Sequence, residues 1–306
     1  MLLRLYWRLI SLAAVLVGVI TLTFVLLRTA PGDPFISEKA LTPAQIEQKE
    51  RKFKLDGPIP SQLLRYFGDL MCGDLRESSK YHGKRVNDIL RQSLPVSFQL
   101  GSAAFVLAAA GGVALGVVAA LRRNTWADHA SMFTALAAIS LPAFITGPLL
   151  IAVFSLWLGW LPVGGWFSWK TMILPALCLA APYVAYVARL MRNSLLDVLN
   201  QDFIRTARAK GLSPSAVALR HALRVAILPV VTFLGPLAAN LLTGSVVVEA
   251  VFGVPGAGQY FVRAIENRDL FLLLGVVMVY CTLLVALNFA VDVAYTFLDR
   301  RIKLDA

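Results

Sequence analysis

Charge is scarce in this sequence. Aspartate, glutamate, lysine and arginine supply 15% of its 306 residues, against about 25% in a soluble domain. Apolar residues supply 58%, above the roughly 45–50% of soluble chains. They fall in unbroken runs rather than at an amphipathic period, which excludes a pair of soluble domains and marks a membrane protein. Acids are scarcer than bases, 18 against 29, for a net charge of +11. No RNA-binding signature or basic-aromatic platform accompanies that excess, so nucleic acid is not an expected partner. Basic residues gathered on the cytoplasmic side of a membrane protein account for it. Histidine and cysteine each occur three times. Cys72, Cys178 and Cys281 show no disulfide or zinc spacing, and His82, His129 and His221 have no partner at ligand spacing, so no metal site is expected. Walker A, zincin and nucleophile-elbow motifs are all absent. The chain is therefore expected to be no enzyme and to bind no cofactor of its own. If transport is active, ATP hydrolysis belongs to another chain.

What is present is a set of six apolar segments, each close to the roughly 20 residues a helix needs to cross a bilayer. They run from about Leu9 to Leu27, Gly101 to Leu121, Phe133 to Leu158, Met172 to Ala188, Ala226 to Val248 and Leu270 to Leu298. The first is read as a retained anchor, since no small-residue cleavage site follows it. Pro142, Pro148, Pro175, Pro182 and Pro236 are expected to kink their helices, which spans tolerate where neighbours or a cavity satisfy the freed carbonyls. The fold class is all-α membrane protein. Its parts are 1–28 (cytoplasmic arm and first span), 29–98 (a helical outer loop) and 99–306 (a core of five spans).

Loop charge sets the orientation. The segment Arg189 to Arg224 carries seven bases against two acids. Arg4 and Arg8, Arg122 and Arg123, and the tail with Arg300, Arg301 and Lys303 lie on the same side. Both termini are therefore expected in the cytoplasm. Trp157, Trp160, Trp166 and Trp169 sit at the outward end of the third segment, where an aromatic belt belongs. In the outer loop, Thr42-Pro43-Ala44-Gln45 predicts a capping box. Glu47 with Arg51 and Glu50 with Lys54 predict helical ion pairs, beside a thin apolar face of Ile46 and Phe53. A second amphipathic helix is predicted after Ser61, burying Leu63, Leu64, Phe67, Leu70 and Met71. In the second segment, Ala104, Ala108, Gly112, Gly116 and Ala120 recur every four residues, a stripe that lets another helix approach closely.

The cytoplasmic segment of about 189–225 carries the most organisation. Asn193 to Lys210 is polar and helix-competent, Gly211 offers a left-handed C-cap, and Ser213 with Pro214 opens a second helix. That second helix mixes Val217, Leu219 and Leu223 with Arg220, His221 and Arg224. Two readings fit the pattern: a docking element for a cytoplasmic partner, or a basic stretch lying on anionic lipid. Outside the fifth segment, Glu249, Gly253, Pro255, Gly256 and Gly258 suggest a tight re-entrant or interfacial turn. No strand precedes them, so they are not a dinucleotide fingerprint. Asp292 is an acid deep in the last span. It suits either proton coupling, as in an ion- or proton-coupled secondary transporter, or a structural pairing. A membrane scaffold without transport is a third possibility.

Ile204-Arg-Thr-Ala-Arg-Ala-Lys-Gly-Leu212, followed by Arg220-His-Ala-Leu-Arg224 and Leu228-Pro229, resembles the EAA loop of permease subunits in binding-protein-dependent ABC importers. The peptide/nickel branch fits best, with Arg205-Thr206 in place of the usual Glu-Ala. Pro31-Gly-Asp-Pro34, Gly73-Asp-Leu75, Gly244-Ser-Val-Val-Val-Glu249, Gly253-Val-Pro-Gly-Ala-Gly258 and Asp292 with Tyr295 agree. Asp299-Arg300 departs from the family's Asp-Pro. Ser79-Lys-Tyr81 and Val86-Asn-Asp88 favour the oligopeptide members over the dipeptide, glutathione and nickel ones. The resemblance implies a type I ABC importer permease in the bacterial inner membrane. It implies a second homologous permease, two ATPase subunits holding ATP and Mg, an external peptide-binding protein, periplasmic or lipid-anchored, and a peptide substrate. It places coupling to the ATPases at Arg205, Ala207, Arg208, Gly211, Leu212, Ser213, Arg220 and His221, and a gate or outer turn at Glu249 to Gly258.

Overall fold

Apolar runs in a chain with no strand-period alternation can satisfy their backbone only as helices, and helices are what form. The structure, a computed structural model, describes residues 2–29, 42–81, 83–213 and 216–298. No strand forms among them beyond one isolated bridge, Glu77 to Arg85. The chain divides into two compact units, Met1–Ser97 with Pro255–Ala286, and Phe98–Val254 with Leu287–Ala306. Among the described residues, three helices are long and apolar enough to cross a membrane: Val86–Leu121, Trp169–Leu199 and Leu270–Val291. Two bent pairs raise that to five, and Ala13–Thr29 is a shorter apolar helix.

The first unit holds α1 (Leu2–Thr29), α2 (Pro43–Lys52), α3 (Ile59–Met71), the start of α4 (Val86–Leu121), α12 (Ala257–Glu266) and most of α13 (Leu270–Leu298). The capping box forms at α2, where Gln45 Oε1 accepts the Thr42 N–H at 2.9 Å. Glu47 pairs with Arg51 at 2.7 Å. The expected pair Glu50 with Lys54 does not form as predicted: the helix ends at Lys52, Lys54 turns to φ 55, and its Nζ reaches Asp69 at 3.1 Å. Helical spacing has no meaning past a helix end. The buried face of α3 also differs from the prediction. Gln62 and Tyr66 are buried and Leu63, Phe67 and Leu70 half-buried against the core, while Leu64 and Met71 point outward at 72% and 89% exposure.

The core of this unit is aromatic. Phe24, Tyr66, Phe271 and Phe53 follow one another with ring centroids 6.1, 6.0 and 5.9 Å apart. The buried Arg76 guanidinium lies over Tyr66 and Phe271 at 5.4 and 5.0 Å, an arrangement that favours a weakly hydrated cation. Arg76 donates to Asp69 at 2.7 Å and to the Phe53 carbonyl at 3.1 Å. Burial pushes the Asp69 carboxyl up, but hydrogen bonds from Arg76 and Lys54 outweigh it and hold the group below its ordinary range. That contribution to stability is present at neutral pH and is lost as pH falls through the lowered value. Asp269 caps α13, accepting from Leu272 N–H at 3.2 Å, and also receives the Ser78 hydroxyl and the Ser79 N–H.

The second unit begins within α4. It contains α5 (Trp126–Ser140), α6 (Ala143–Leu150) running on as a π-helix over Ile151–Trp157, α7 (Trp169–Leu199), α8 (Asp202–Ala209), a π-helical turn over Val217–Ala222, α9 (Leu223–Ala226), α10 (Leu228–Leu242) and α11 (Val246–Phe252). The small-residue stripe of α4 is buried along its length. A Cβ on Gly112 would sit 2.6 Å from Val187 Cβ, and one on Gly116 would sit 2.5 Å from the Ala188 carbonyl oxygen. One on Gly101 would fall on the Leu241 carbonyl of α10. Close approach of α7 and α10 to α4 therefore requires the missing side chains.

Four expected segments have different helical bounds in the structure. The third is not one kinked helix, because Asp128–Ser140 and Ala143–Trp157 meet at 114°. Pro142 disfavours helix at Leu141, and Pro148 has no N–H for the Phe144 carbonyl, after which the helix widens to π. The fourth does not stop at Ala188 but continues as helix to Leu199. The fifth ends at Leu242, where Thr243 and Gly244 (φ 86) break it and Ser245 Oγ caps α11 by accepting from Val248 N–H at 3.3 Å. The second span also starts early, since α4 begins at Val86.

Candidate functional site

The segment of about 189–225 folds as an outrigger on α7. The helix predicted over Asn193 to Lys210 is split: α7 ends at Asn200, and α8 begins anew at Asp202. Asn200 sits at φ −93, ψ −3, a turn that re-aims the chain. On α8, Ile204 and Ala207 are buried while Phe203, Arg205, Thr206 and Arg208 face outward. Ala207 therefore holds α8 in place and cannot itself be touched by a partner. Gly211 follows at φ 81, with its N–H donating to the Arg208 carbonyl at 2.9 Å, the left-handed C-cap that was expected. Leu212 and Ser213 are exposed, and the Ser213 hydroxyl accepts the Ala216 N–H at 3.3 Å. Pro214 lies outside the described residues. In the returning arm, Val217, Ala218 and Ala222 are buried, and Leu219, Arg220 and His221 are exposed.

The result is a half-buried element. One face is apolar and packed, and the other presents Phe203, Leu212 and Leu219 among Arg205, Arg220 and His221. The element is tied back at its returning arm. Ser194 Oγ donates to the Ala226 carbonyl at 2.8 Å, and α9 meets α10 at a 51° bend through Ile227 and Pro229.

Sequence reasoning missed one pair beside this element. The Arg192 guanidinium forks onto Asp128, Nε to Oδ1 at 2.6 Å and Nη2 to Oδ2 at 2.7 Å, with the Asp128 side chain 2% exposed. Asp128 counted in the sequence only as a loop charge. Its partner lies 64 residues away, and no spacing rule connects them.

The run expected to form one outer turn is two helix ends. Gly253 (φ 62) closes α11, with Val254 N–H donating to the Glu249 carbonyl at 2.9 Å, and Glu249 is fully buried within its unit. Pro255, Gly256 and Gly258 belong to the other unit, where Gly256 is the N-cap of α12 and Ala257 N–H donates to Ser97 Oγ at 2.9 Å. Asp292 lies within α13, but its side chain, like that of Tyr295, falls outside the described residues, as do Pro31 to Pro34 and His82.

Residues 112–304 match the model of a family described as binding-protein-dependent transport system inner membrane component. The chain is 43% identical over 298 residues to the oligopeptide transport system permease protein OppB of Haemophilus influenzae, covering 97% of each. It is 44% identical over 294 residues to the dipeptide transport system permease protein DppB of Bacillus subtilis, covering 96% of each. It is 43% identical over 286 residues to OppB of Escherichia coli. These identities do not separate oligopeptide from dipeptide relatives. Among solved structures, a chain of the MetNI methionine ABC transporter in an inward-facing conformation superposes with a TM-score of 0.58 at 17% identity, covering 69% of this chain and 96% of that one. That likeness establishes a shared fold.

Proposed function

The chain belongs to the family of binding-protein-dependent transport system inner membrane components, and from that premise we propose that it is one of two permease subunits of an ATP-driven importer of short peptides. It crosses the membrane six times with both termini in the cytoplasm. It pairs with a second, similar permease around the path, and an external binding protein delivers the peptide. Two ATPase subunits hold the ATP and Mg. The observation that carries the reading is the half-buried element between Asp202 and Ala226. Its exposed residues offer grip, and its buried residues leave no slack between that grip and α7.

The mechanism follows from the packing. Closure of the ATPases around ATP displaces the exposed face at Leu212, Leu219, Arg220 and His221. Ile204, Ala207, Val217 and Ala222 are packed without room to slide, so the displacement passes into α7 and α10 as a rigid-body movement. Alternating access then needs only two arrangements of the helices, one open to each side. Peptide contacts in the path are weak, and selection rests with the binding protein.

Purified alone, the chain is expected to hydrolyse no ATP. In cells, replacing the P-loop lysine of the partner ATPase is expected to stop peptide uptake. Uptake that survives ATP depletion and follows the proton gradient would overturn the proposal in favour of a secondary transporter using Asp292. Orientation has its own test. Cys72 is exposed, Cys178 buried and Cys281 half-buried. A membrane-impermeant maleimide is expected to label Cys72 in intact spheroplasts and to spare the other two. Labelling of Cys72 only after lysis would reverse the topology.

A further inference from the structure

The proposed coupling element ends at Ala226, and α5, one of the spans it must move, packs directly on α7. The pair Arg192–Asp128 pins the start of that contact. Asp128 stands in the first turn of α5, and its carboxylate has three hydrogen bonds: Arg192 Nε at 2.6 Å, Arg192 Nη2 at 2.7 Å and the Asn124 N–H at 3.0 Å. Asn124 is at φ 62, inside the turn joining α4 to α5. One carboxylate thus closes that turn and grips α7. The grip is at a level where α4 lies close on α7, since a Cβ on Gly116 would also sit 3.1 Å from the Arg192 nitrogen. Two residues further along α7, Ser194 holds the returning arm of the coupling element at the Ala226 carbonyl.

We propose that Arg192 and Asp128 are positioning residues for transport: they carry movement of the coupling element from α7 to α5 and the α4–α5 turn. This rests on the permease reading above. The chemistry favours such a role. A two-bond guanidinium fork resists rotation as well as separation, which one lysine contact does not. The pair is nearly dry on the Asp128 side, so that carboxylate cannot exchange its partner for water at little cost. A link that neither twists nor slips passes on a lever's movement.

The test uses the assembled importer with its ATPases and binding protein, in membranes and reconstituted. Arg192→Gln is expected to lower uptake per assembled complex on the order of tenfold, within the range typical of coupling between sites. Membrane abundance is expected to fall, because Asp128 is left buried and unpaired; per assembled complex, ATPase co-purification and basal ATP hydrolysis are expected to stay near wild type, while stimulation of hydrolysis by binding protein and peptide is lost. Arg192→Lys should fall between the two. Asp128→Asn combined with Arg192→Gln should be no worse than the poorer single change, because both remove one link. Should Arg192→Gln assemble poorly, Arg192→Lys carries the same comparison. Wild-type uptake and stimulation per assembled complex in these variants would overturn the proposal, as would additive losses in the double variant. If instead wild-type uptake proves independent of ATP, the permease reading itself fails, and the two failures are told apart.

Discussion

Gly211→Val is expected to abolish peptide uptake while leaving the protein in the membrane at near-normal abundance. Gly211 sits at φ 81, and nothing lies within 4 Å of where a Cβ would be. The penalty is therefore conformational and not a collision. A β-branched residue held in the left-handed region costs on the order of 1–3 kcal/mol. The chain can relieve that cost by unwinding the Arg208–Gly211 cap, and this would swing Leu212 and Ser213 away from their place. The spans share none of these atoms, so insertion should survive. ATP hydrolysis by the assembled complex should lose its response to binding protein and peptide, or the ATPases should dissociate. Gly211→Asn is the informative control, because asparagine tolerates left-handed backbone. It is expected to retain most uptake. Asp292→Asn should weaken transport less than Gly211→Val. Wild-type uptake in Gly211→Val would show that this element does not transmit the motion.

Gly116→Leu is expected to do the opposite: to remove the protein from the membrane instead of uncoupling it. A Cβ there would stand 2.5 Å from the Ala188 carbonyl oxygen and 2.6 Å from Met191 Cβ. The first of these is backbone and cannot rotate away, so α4 and α7 must separate. Overpacking alone costs about 1–3 kcal/mol, and separation also removes the contacts of the whole stripe, including Gly112 on Val187. Immunoblots of membranes and thermal melting in detergent should both show the loss. Gly68→Ala is the matched control. Its Cβ would meet nothing within 4 Å, and it lies in α3, so stability should hold or rise by about 0.4–1 kcal/mol. Normal abundance of Gly116→Leu would mean that α4 and α7 are not packed at this distance in the membrane.

Local chemistry was legible in the sequence wherever one residue's neighbours along the chain decide its state. Thr42 with Gln45, Glu47 with Arg51 and the left-handed Gly211 formed as expected, because caps and helical pairs reach only three or four residues. The stripe from Ala104 to Ala120 was legible as a contact surface, since only small residues permit such an approach. Errors arose where a second segment intervened. Lys54 left its predicted partner Glu50 for Asp69, which α3 brings within reach. Leu64 and Met71 lost their expected burial to Tyr66 and Gln62, because the aromatic ring of Phe271 selects which face of α3 turns inward.

The sequence by itself determined that this chain is helical and built for a membrane, and that the segment 189–225 is organised. Each follows from composition or from spacings of a few residues. Tertiary structure alone decided three further matters. Residues Pro255–Ala286 form one compact unit with Met1–Ser97, far away in sequence. The third apolar segment breaks at Leu141–Pro142 where hydropathy runs on unbroken. Asp128 belongs to Arg192. The physical reason is common to all three. Apolar burial is non-directional, so hydropathy states how much surface must leave water but not against what. The partner is chosen by shape, and by a buried charge that must be paired across whatever sequence distance the fold happens to close.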